Sequence, residues 1–270
     1  MADEPPVVPS QMPIVISVAT VTFNAAAHLA NTIASVEAQT YPYIEHIVVD
    51  GNSTDNTLHT LHEYQKRNSL RDTPIRLNAL SEPDEGIYDA MNKALRMAKG
   101  DYIVFMNAGD SFHHAEVLAE VVARAEASRA ATGEWPAVLY GLTHLVDHAG
   151  HFLRPRHLTP PVAGLHWQDY KRGMLVCHQA FFAFTEWAKT MPYDRRYRLS
   201  ADYDWCVRLL RRAAKEKRAI TNSGTVVANY LYEGATTRHH WRSLRERFAI
   251  MRRYYGLWNT LWRHVGFLFR

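Results

Sequence analysis

A chain of 270 residues can bury one large core or two fused ones, and 47% hydrophobic with 11% aromatic residues excludes a disordered protein. The net charge of +4 is uneven: Arg and Lys gather in 195–218 and 238–270 while the first hundred residues hold more acids than bases, so the C-terminal half is expected to meet something anionic or amphiphilic. Two cysteines, Cys177 and Cys206, exclude a disulfide framework and read as core thiols in a reducing compartment.

The start MADEPPVVPSQMP is neither a signal nor a transit peptide, and residues 1–12 are expected to be a disordered lead-in. No run reaches the roughly 18 apolar residues of a membrane span, so the cytoplasm is the expected site. Ile14–Thr20 is a β-rich run, followed by Thr22-Phe23-Asn24 and a helix pattern over Ala26–Ala38. Tyr43–Asp50 predicts a second buried strand and Thr57–Arg67 a helix, with Asn52-Ser53-Thr54-Asp55 supplying cap residues. Arg76–Ser81 predicts a strand, Ile87–Lys99 a helix ended by Gly100, and Tyr102–Met106 a fourth strand. A helix over Ala115–Ala130 closes a mostly parallel α/β half, residues 13–125, with helices on both faces.

Residues 126–237 are less regular and read as the second half of the same domain. They hold short strands at Val138–Thr143, His151–Arg154 and Phe181–Phe184, an amphipathic helix over Ala201–Arg212 and a late strand at Thr225–Tyr232. Residues 238–270 form a basic, aromatic, helical tail.

In open α/β sheets the loops after the strands form the ligand crevice. Here these loops hold Thr22 and Asn24; Asp50-Gly51-Asn52-Ser53; Glu82-Pro83-Asp84-Glu85-Gly86; and Asn107-Ala108-Gly109-Asp110. Asp50 is placed to accept from a base or ribose, whereas Ser53 and Asp55 also suit helix capping. No GxGxxG follows the first strand and no Walker pattern occurs, so a diphosphate would need another counter-charge. A hard cation on Asp110 is one solution, and a turn or cap role is the other.

The succession TVTFNAAAHLANTIASVEAQTYPYIEHIVVDGNSTDNT, then SEPDEGIYDAMNKALRMAKGDYIVFMNAGD, resembles the family 2 inverting glycosyltransferases of the GT-A fold, of bacterial surface-polysaccharide type. The resemblance implies that Thr22, Asn24, Asp50 and Ser53 contact the nucleoside, that Asp84, Asn92 and Lys93 face ribose or diphosphate, and that Asn107 and Gly109 line the donor site. It implies Mn²⁺ or Mg²⁺ on the diphosphate. The family's Asp-x-Asp pair falls on Asn107-Ala108-Gly109-Asp110, with Gly109 at the second carboxylate position, so the metal leans on Asp110. Asp202, opening Asp202-Tyr203-Asp204, matches the catalytic base, with a helix N-terminal acid as the other reading. His178 and Gln179 match a His-Gln pair near the sugar, and Asp204 is placed on the acceptor side. Arg238 and His239, in a glycine-bearing loop, match residues that close on the donor phosphates.

The implied partners are a nucleotide-sugar donor, UDP-linked by preference, and a glycan or lipid-linked acceptor, with no nucleic acid and the oligomeric state open. The tail from 252 to 270 interleaves arginine with aromatics; this suits the inner face of a membrane, and equally packing on the body or a second subunit. A nucleic-acid-binding protein using the basic C-terminal region, a nucleotidyltransferase and a catalytically degenerate scaffold are the alternative readings.

Overall fold

The computed structural model describes residues 12–232 and 240–268. Of the expected lead-in only Met12 is among them, and Arg238 and His239 lie outside them. The first half alternates strands β1 (Ile16–Thr22), β2 (Ile44–Asp50), β3 (Arg76–Ser81) and β4 (Tyr102–Phe105) with helices α1 (Ala26–Glu37), α2 (Thr57–Ser69) and α3 (Ile87–Met97). The second half adds β5 (Ser111–Phe112), α4 (Val117–Thr132), β6 (Val138–Val146), β7 (Phe152–Pro155), β8 (Phe181–Phe184), α5 (Thr185–Thr190), α6 (Ala201–Lys215) and β9 (Ile220–Leu231). Two helices follow, α7 (His240–Tyr255) and α8 (Leu257–Leu268).

All nine strands join one sheet in the order β3-β2-β1-β4-β8-β6-β9-β5, with β7 paired to β6. The β1–β2, β2–β3 and β1–β4 pairings are parallel, so the four loops that follow these strands share one sheet edge. Every residue of β1 and β2 is buried, as a strand covered on both faces requires. Successive residues of β2 serve different cores: Ile47 and Val49 join the main one, while Val48 packs with Leu29, Ile33, Leu61 and Tyr64 of α1 and α2. That alternation places helices on opposite faces. β8 then runs antiparallel to both β4 and β6, which carries the core of the second half into the same sheet.

Several boundaries differ from the sequence pattern. The α3 helix ends at Met97, with Ala98 already extended at ψ 134°, so Gly100 is not its cap. A Cβ on Gly100 would lie 2.6 Å from the Val15 carbonyl oxygen, and its N–H donates to Ser17 Oγ at 2.9 Å: close backbone approach, not helix termination, is what the glycine serves. β9 begins five residues before the expected Thr225, because its first residues pair with Val138–Tyr140 of β6. Both cysteines are buried and free. Among the described residues, no helix is long and apolar enough to cross a membrane.

Candidate functional site

The first two loops are knitted together by short polar side chains. Asp50, fully buried, accepts from the Ser53 N–H at 2.9 Å, from Ser81 Oγ at 2.7 Å and from Ser53 Oγ. Ser53 in turn accepts from the Asn24 N–H at 2.8 Å, and Asn24 Oδ1 accepts from the Thr54 N–H at 2.9 Å. Asn24 sits at φ 46°, a left-handed conformation that asparagine tolerates better than most residues. Neither Ser53 nor Asp55 is the N-cap of α2, a position held by Asn56; Asp55, just before it, accepts from the Thr57 N–H at 2.9 Å. The Thr22 hydroxyl is buried with no partner among the described residues.

The third loop closes on the second. An Asp84 carboxylate oxygen lies where it would be 2.5 Å from a Cβ at Gly51, and the Phe23 ring would be 3.3 Å away. Phe23 is 61% exposed, an aromatic ring at the mouth whose apolar side chain gives no polar signal in the sequence. Lys93 Nζ donates to the Pro83 carbonyl at 2.6 Å and pairs with Glu82 at 2.9 Å. Its ammonium thus braces the loop carrying Asp84. Asn92 does not face the crevice: its amide exchanges two hydrogen bonds with the backbone of Tyr193, at 3.0 and 2.8 Å. This corrects its expected ribose contact, since both ends of the amide tie α3 to the chain that leads to α6.

Around the fourth loop two chains of contacts diverge. In one, Asn107 Nδ2 meets His178 Nε2 at 3.0 Å, His178 Nδ1 meets an Asp202 oxygen at 3.3 Å, and Tyr88 donates its hydroxyl to the other Asp202 oxygen at 3.0 Å. An ionised Asp202 accepts from His178 Nδ1–H, leaving Nε2 to accept from Asn107. Burial pushes the Asp202 carboxyl up, but the hydrogen bond from His178, the Arg247 charge and the Tyr203 N–H hold it below the usual carboxylate range. Asp202 is thus an anion at neutral pH. Tyr88, missed in the sequence because a tyrosine in an amphipathic helix reads as core, is pushed well above its ordinary value, chiefly by burial and next by the Asp202 charge.

In the other chain, Asp110 accepts from Gln179 Nε2 at 2.7 Å and from the Leu231 N–H at 3.1 Å. It is 5% exposed, and burial, opposed by Gln179, pushes its carboxyl up to about 6. Gly109 beside it has φ 105°, and a Cβ there would meet Leu231 Cδ2 at 3.1 Å. A second carboxylate at this position would be strained by both conformation and space.

A cage made by the protein alone does not fit a divalent ion here: among the described residues no group of three or more His, Cys, Asp or Glu side chains is arranged to hold one. Each oxygen of Asp110 has one hydrogen-bond partner, Gln179 or the Leu231 N–H, so the carboxylate is held in place by the chain around it. One oxygen is free: Asn107 Oδ1 is buried and has no hydrogen bond among the described residues. An ion brought by a diphosphate, with its remaining ligands from phosphate and water, is compatible with Asn107 Oδ1 and Asp110 on the protein side.

Asp204 is also reassigned. It is 1% exposed, pairs with Arg208 at 2.7 Å and accepts the Tyr254 hydroxyl at 2.7 Å, so it binds α6 to α7 and offers nothing to an acceptor. A further residue of that kind gave no motif signal: Glu246 of α7 accepts from the N–H groups of Arg198, Leu199 and Ser200 at 3.0, 2.8 and 3.1 Å. These are the backbone donors just before α6, two to four residues from Asp202.

The sequence pattern of the family described as Glycosyl transferase family 2 matches residues 17–186. A PGL/p-HBAD biosynthesis glycosyltransferase of Mycobacterium tuberculosis (strain ATCC 25177 / H37Ra) is 31% identical over 210 residues, 77% of this chain and 73% of the relative. Among solved structures, S. aureus TarS 1–349 in complex with UDP-GlcNAc aligns with a TM-score of 0.65 at 18% identity, covering 88% of this chain and 65% of that one. Mannosyltransferase PcManGT from Pyrobaculum calidifontis, in complex with GDP-Man and Mn²⁺, aligns with a TM-score of 0.61 at 17% identity, covering 90% of this chain and 64% of that one. At these identities the two structures speak for the fold, the GT-A arrangement of a mostly parallel sheet with surrounding helices.

Proposed function

The chain belongs to glycosyl transferase family 2, and we propose that this glycosyltransferase moves a sugar from a UDP-sugar to a glycan or lipid-linked acceptor with inversion at the anomeric carbon. The observation that carries the reading is Asp202. It is an anion held between Tyr88 and His178, and His178 reaches the loop after β4 through Asn107. The base therefore stands where the sheet edge that would receive the donor meets the start of α6.

In this mechanism the acceptor hydroxyl attacks the anomeric carbon from the face opposite the nucleotide, Asp202 takes the hydroxyl proton, and the nucleoside diphosphate leaves with the bonding pair. His178 and Tyr88 fix the carboxylate in position, and keeping it ionised before attack is the contribution of their hydrogen bonds. Thr22, Asn24, Asp50, Ser53 and Phe23 form the nucleoside side, while Asp84 and Lys93 shape the loop beside it. Gln179 supports the sugar side by holding Asp110, and Arg238 and His239 meet the donor phosphates. A Mn²⁺ or Mg²⁺ ion bound with the donor would neutralise the diphosphate, with Asn107 Oδ1 and Asp110 as its protein oxygens. The ligands of the structural neighbours, UDP-GlcNAc and GDP-Man, support a nucleotide-sugar, and the biosynthetic role in the mycobacterial relative's name supports a glycolipid or glycan acceptor.

The test is Asp202→Asn. Calorimetric UDP affinity should stay within about twofold while transfer falls by roughly a thousandfold or more, and the anomeric coupling of the wild-type product should be opposite to that of the donor. Transfer at the wild-type rate would remove Asp202 from the role, and a retained anomeric configuration would remove the inverting reading.

A further inference from the structure

The tail has two aromatic populations, divided at Gly256. Before it, Tyr254 donates to Asp204 at 2.7 Å, Tyr255 donates to the Trp167 carbonyl at 2.8 Å and stacks on that indole at 5.6 Å, and Ile250 and Met251 are buried. These residues fasten α7 to the body. After it, Leu257 and Leu261 are each 41% exposed, and Trp258 and Trp262 are 82% and 80% exposed.

The pattern on α8 is that of a helix with three distinct sides. At about 100° per residue, Leu257, Leu261, Trp258 and Trp262 fall within one arc of roughly 140°. Thr260 and His264 lie just beyond the Leu257 edge of that arc, about 60° and 20° from it, where Thr260 is fully buried and His264 Nε2 reaches the Leu244 carbonyl of α7 at 3.4 Å. The packed side thus adjoins Leu257, and the rest of the arc, with Trp258 and Trp262, turns away from α7.

Charge selects what covers that arc. From His240 to Leu268 the sequence holds six arginines and one acid, Glu246. Glu246 is turned into the start of α6, with only Arg242 near it on its own helix, at 3.8 Å. Trp241, Arg242, Arg245, Arg252 and Arg253 are all exposed and recur at spacings that put them along one face of α7. No acid is within ion-pair distance of Arg245, Arg252, Arg253 or Arg263 among the described residues. Association of two copies through these helices would bring like charges together, whereas an anionic bilayer satisfies both features: phosphates for guanidinium groups and the headgroup boundary for indole rings.

We propose that the α7–α8 hairpin docks on an anionic lipid bilayer, with Leu257, Trp258, Leu261 and Trp262 entering the headgroup layer and the exposed arginines meeting lipid phosphate. Docking is peripheral, because α8 is 12 residues long and a span needs about 20. Since Tyr254 and Glu246 tie α7 to the helix of Asp202, the docked hairpin would be rigidly connected to the proposed base. The docking itself does not depend on the sugar-transfer reading.

Flotation of the full chain with phosphatidylcholine vesicles, with and without phosphatidylglycerol, tests this without turnover. Binding is expected to the anionic vesicles only, weakening with salt and accompanied by a blue shift of tryptophan emission. The double variant Trp258→Ser/Trp262→Ser should lower partitioning by about tenfold or more with an unchanged unfolding midpoint, and Arg252→Gln/Arg253→Gln should lower the preference for anionic vesicles. Failure of the wild type to float with anionic vesicles, or undiminished flotation of the double tryptophan variant, would overturn the proposal. So would a wild-type dimer in sedimentation equilibrium that the same tryptophan substitutions dissolve.

Discussion

Replacing Glu246 by alanine leaves three backbone N–H groups, those of Arg198, Leu199 and Ser200, without the carboxylate that accepts from them at 2.8 to 3.1 Å. Hydrogen bonds to a charged acceptor contribute about 1.5–3 kcal/mol each when buried. The Glu246 side chain is 13% exposed and Arg198 is partly open, so water can replace some of the loss, and a total of about 3 kcal/mol is expected. For a chain of this size that corresponds to a fall of roughly 6–12 °C in melting temperature. Glu246→Gln keeps an acceptor oxygen and should lose about half as much. The same donors fix the start of α6, so freeing them loosens Asp202, and a misplacement of about 1 Å costs on the order of a hundredfold in rate. Initial rates with donor and acceptor varied separately should show kcat falling by about ten- to a hundredfold in the alanine variant. KM for the donor should change little, because the nucleoside loops lie on β1 and β2, and the glutamine variant should recover part of kcat. A melting point within about 2 °C of wild type together with an unchanged kcat would refute the view that α7 positions the base.

Three further outcomes follow from the site. Because burial raises the Asp110 carboxyl from 3.8 to about 6, its folded-state contribution is full below about pH 4 and is lost as pH rises through 6; relative to Asp110→Asn, wild type should lose roughly 3 kcal/mol of urea-unfolding stability between pH 4 and 8. Gly109→Asp, which restores the missing acidic pair in sequence, should destabilise by about 1–3 kcal/mol because the residue sits at φ 105° against Leu231, and calorimetry should find no gain in Mn²⁺ affinity. Asn92→Ala should lower the unfolding midpoint through loss of its two bonds to Tyr193 while leaving UDP affinity unchanged; a selective loss of UDP affinity would return Asn92 to the donor site.

The first half of the fold was legible because its physics is local. Buried parallel strands announce themselves as apolar runs such as Ile47-Val48-Val49, and the intervening helices carry a 3.6-residue period. Strand ends then follow, and with them the loops that parallel topology must gather on one edge. The second half depends on pairings that periodicity does not encode: β9 starts at Ile220 because β6 offers it a parallel edge, and the two-residue β5 exists only by pairing with Asn229 and Ala228. Gly100 illustrates the same limit, since a glycine after a helix reads as a cap until the approach of Val15 is visible.

In the site, residue type was legible and partner was not. A buried carboxylate after a strand has the same sequence appearance whether it faces a ligand or a neighbouring backbone, and the difference is made by residues far along the chain. Asp110 is closed by Gln179 and Leu231, Asn92 by Tyr193, and Asp204 by Tyr254. Asp202 differs in its place: besides the Tyr203 N–H it is held by His178 and Tyr88, and His178 links it to Asn107 in the loop after β4. The departure at Gly109 also changes meaning. A glycine in place of an acid looks like a loss of metal-binding capacity, but at φ 105° beside Leu231 it is the residue this turn requires. The turn that fixes Gly109 also aims Asp110 at β9, so the altered motif and the enclosed carboxylate follow from one backbone conformation.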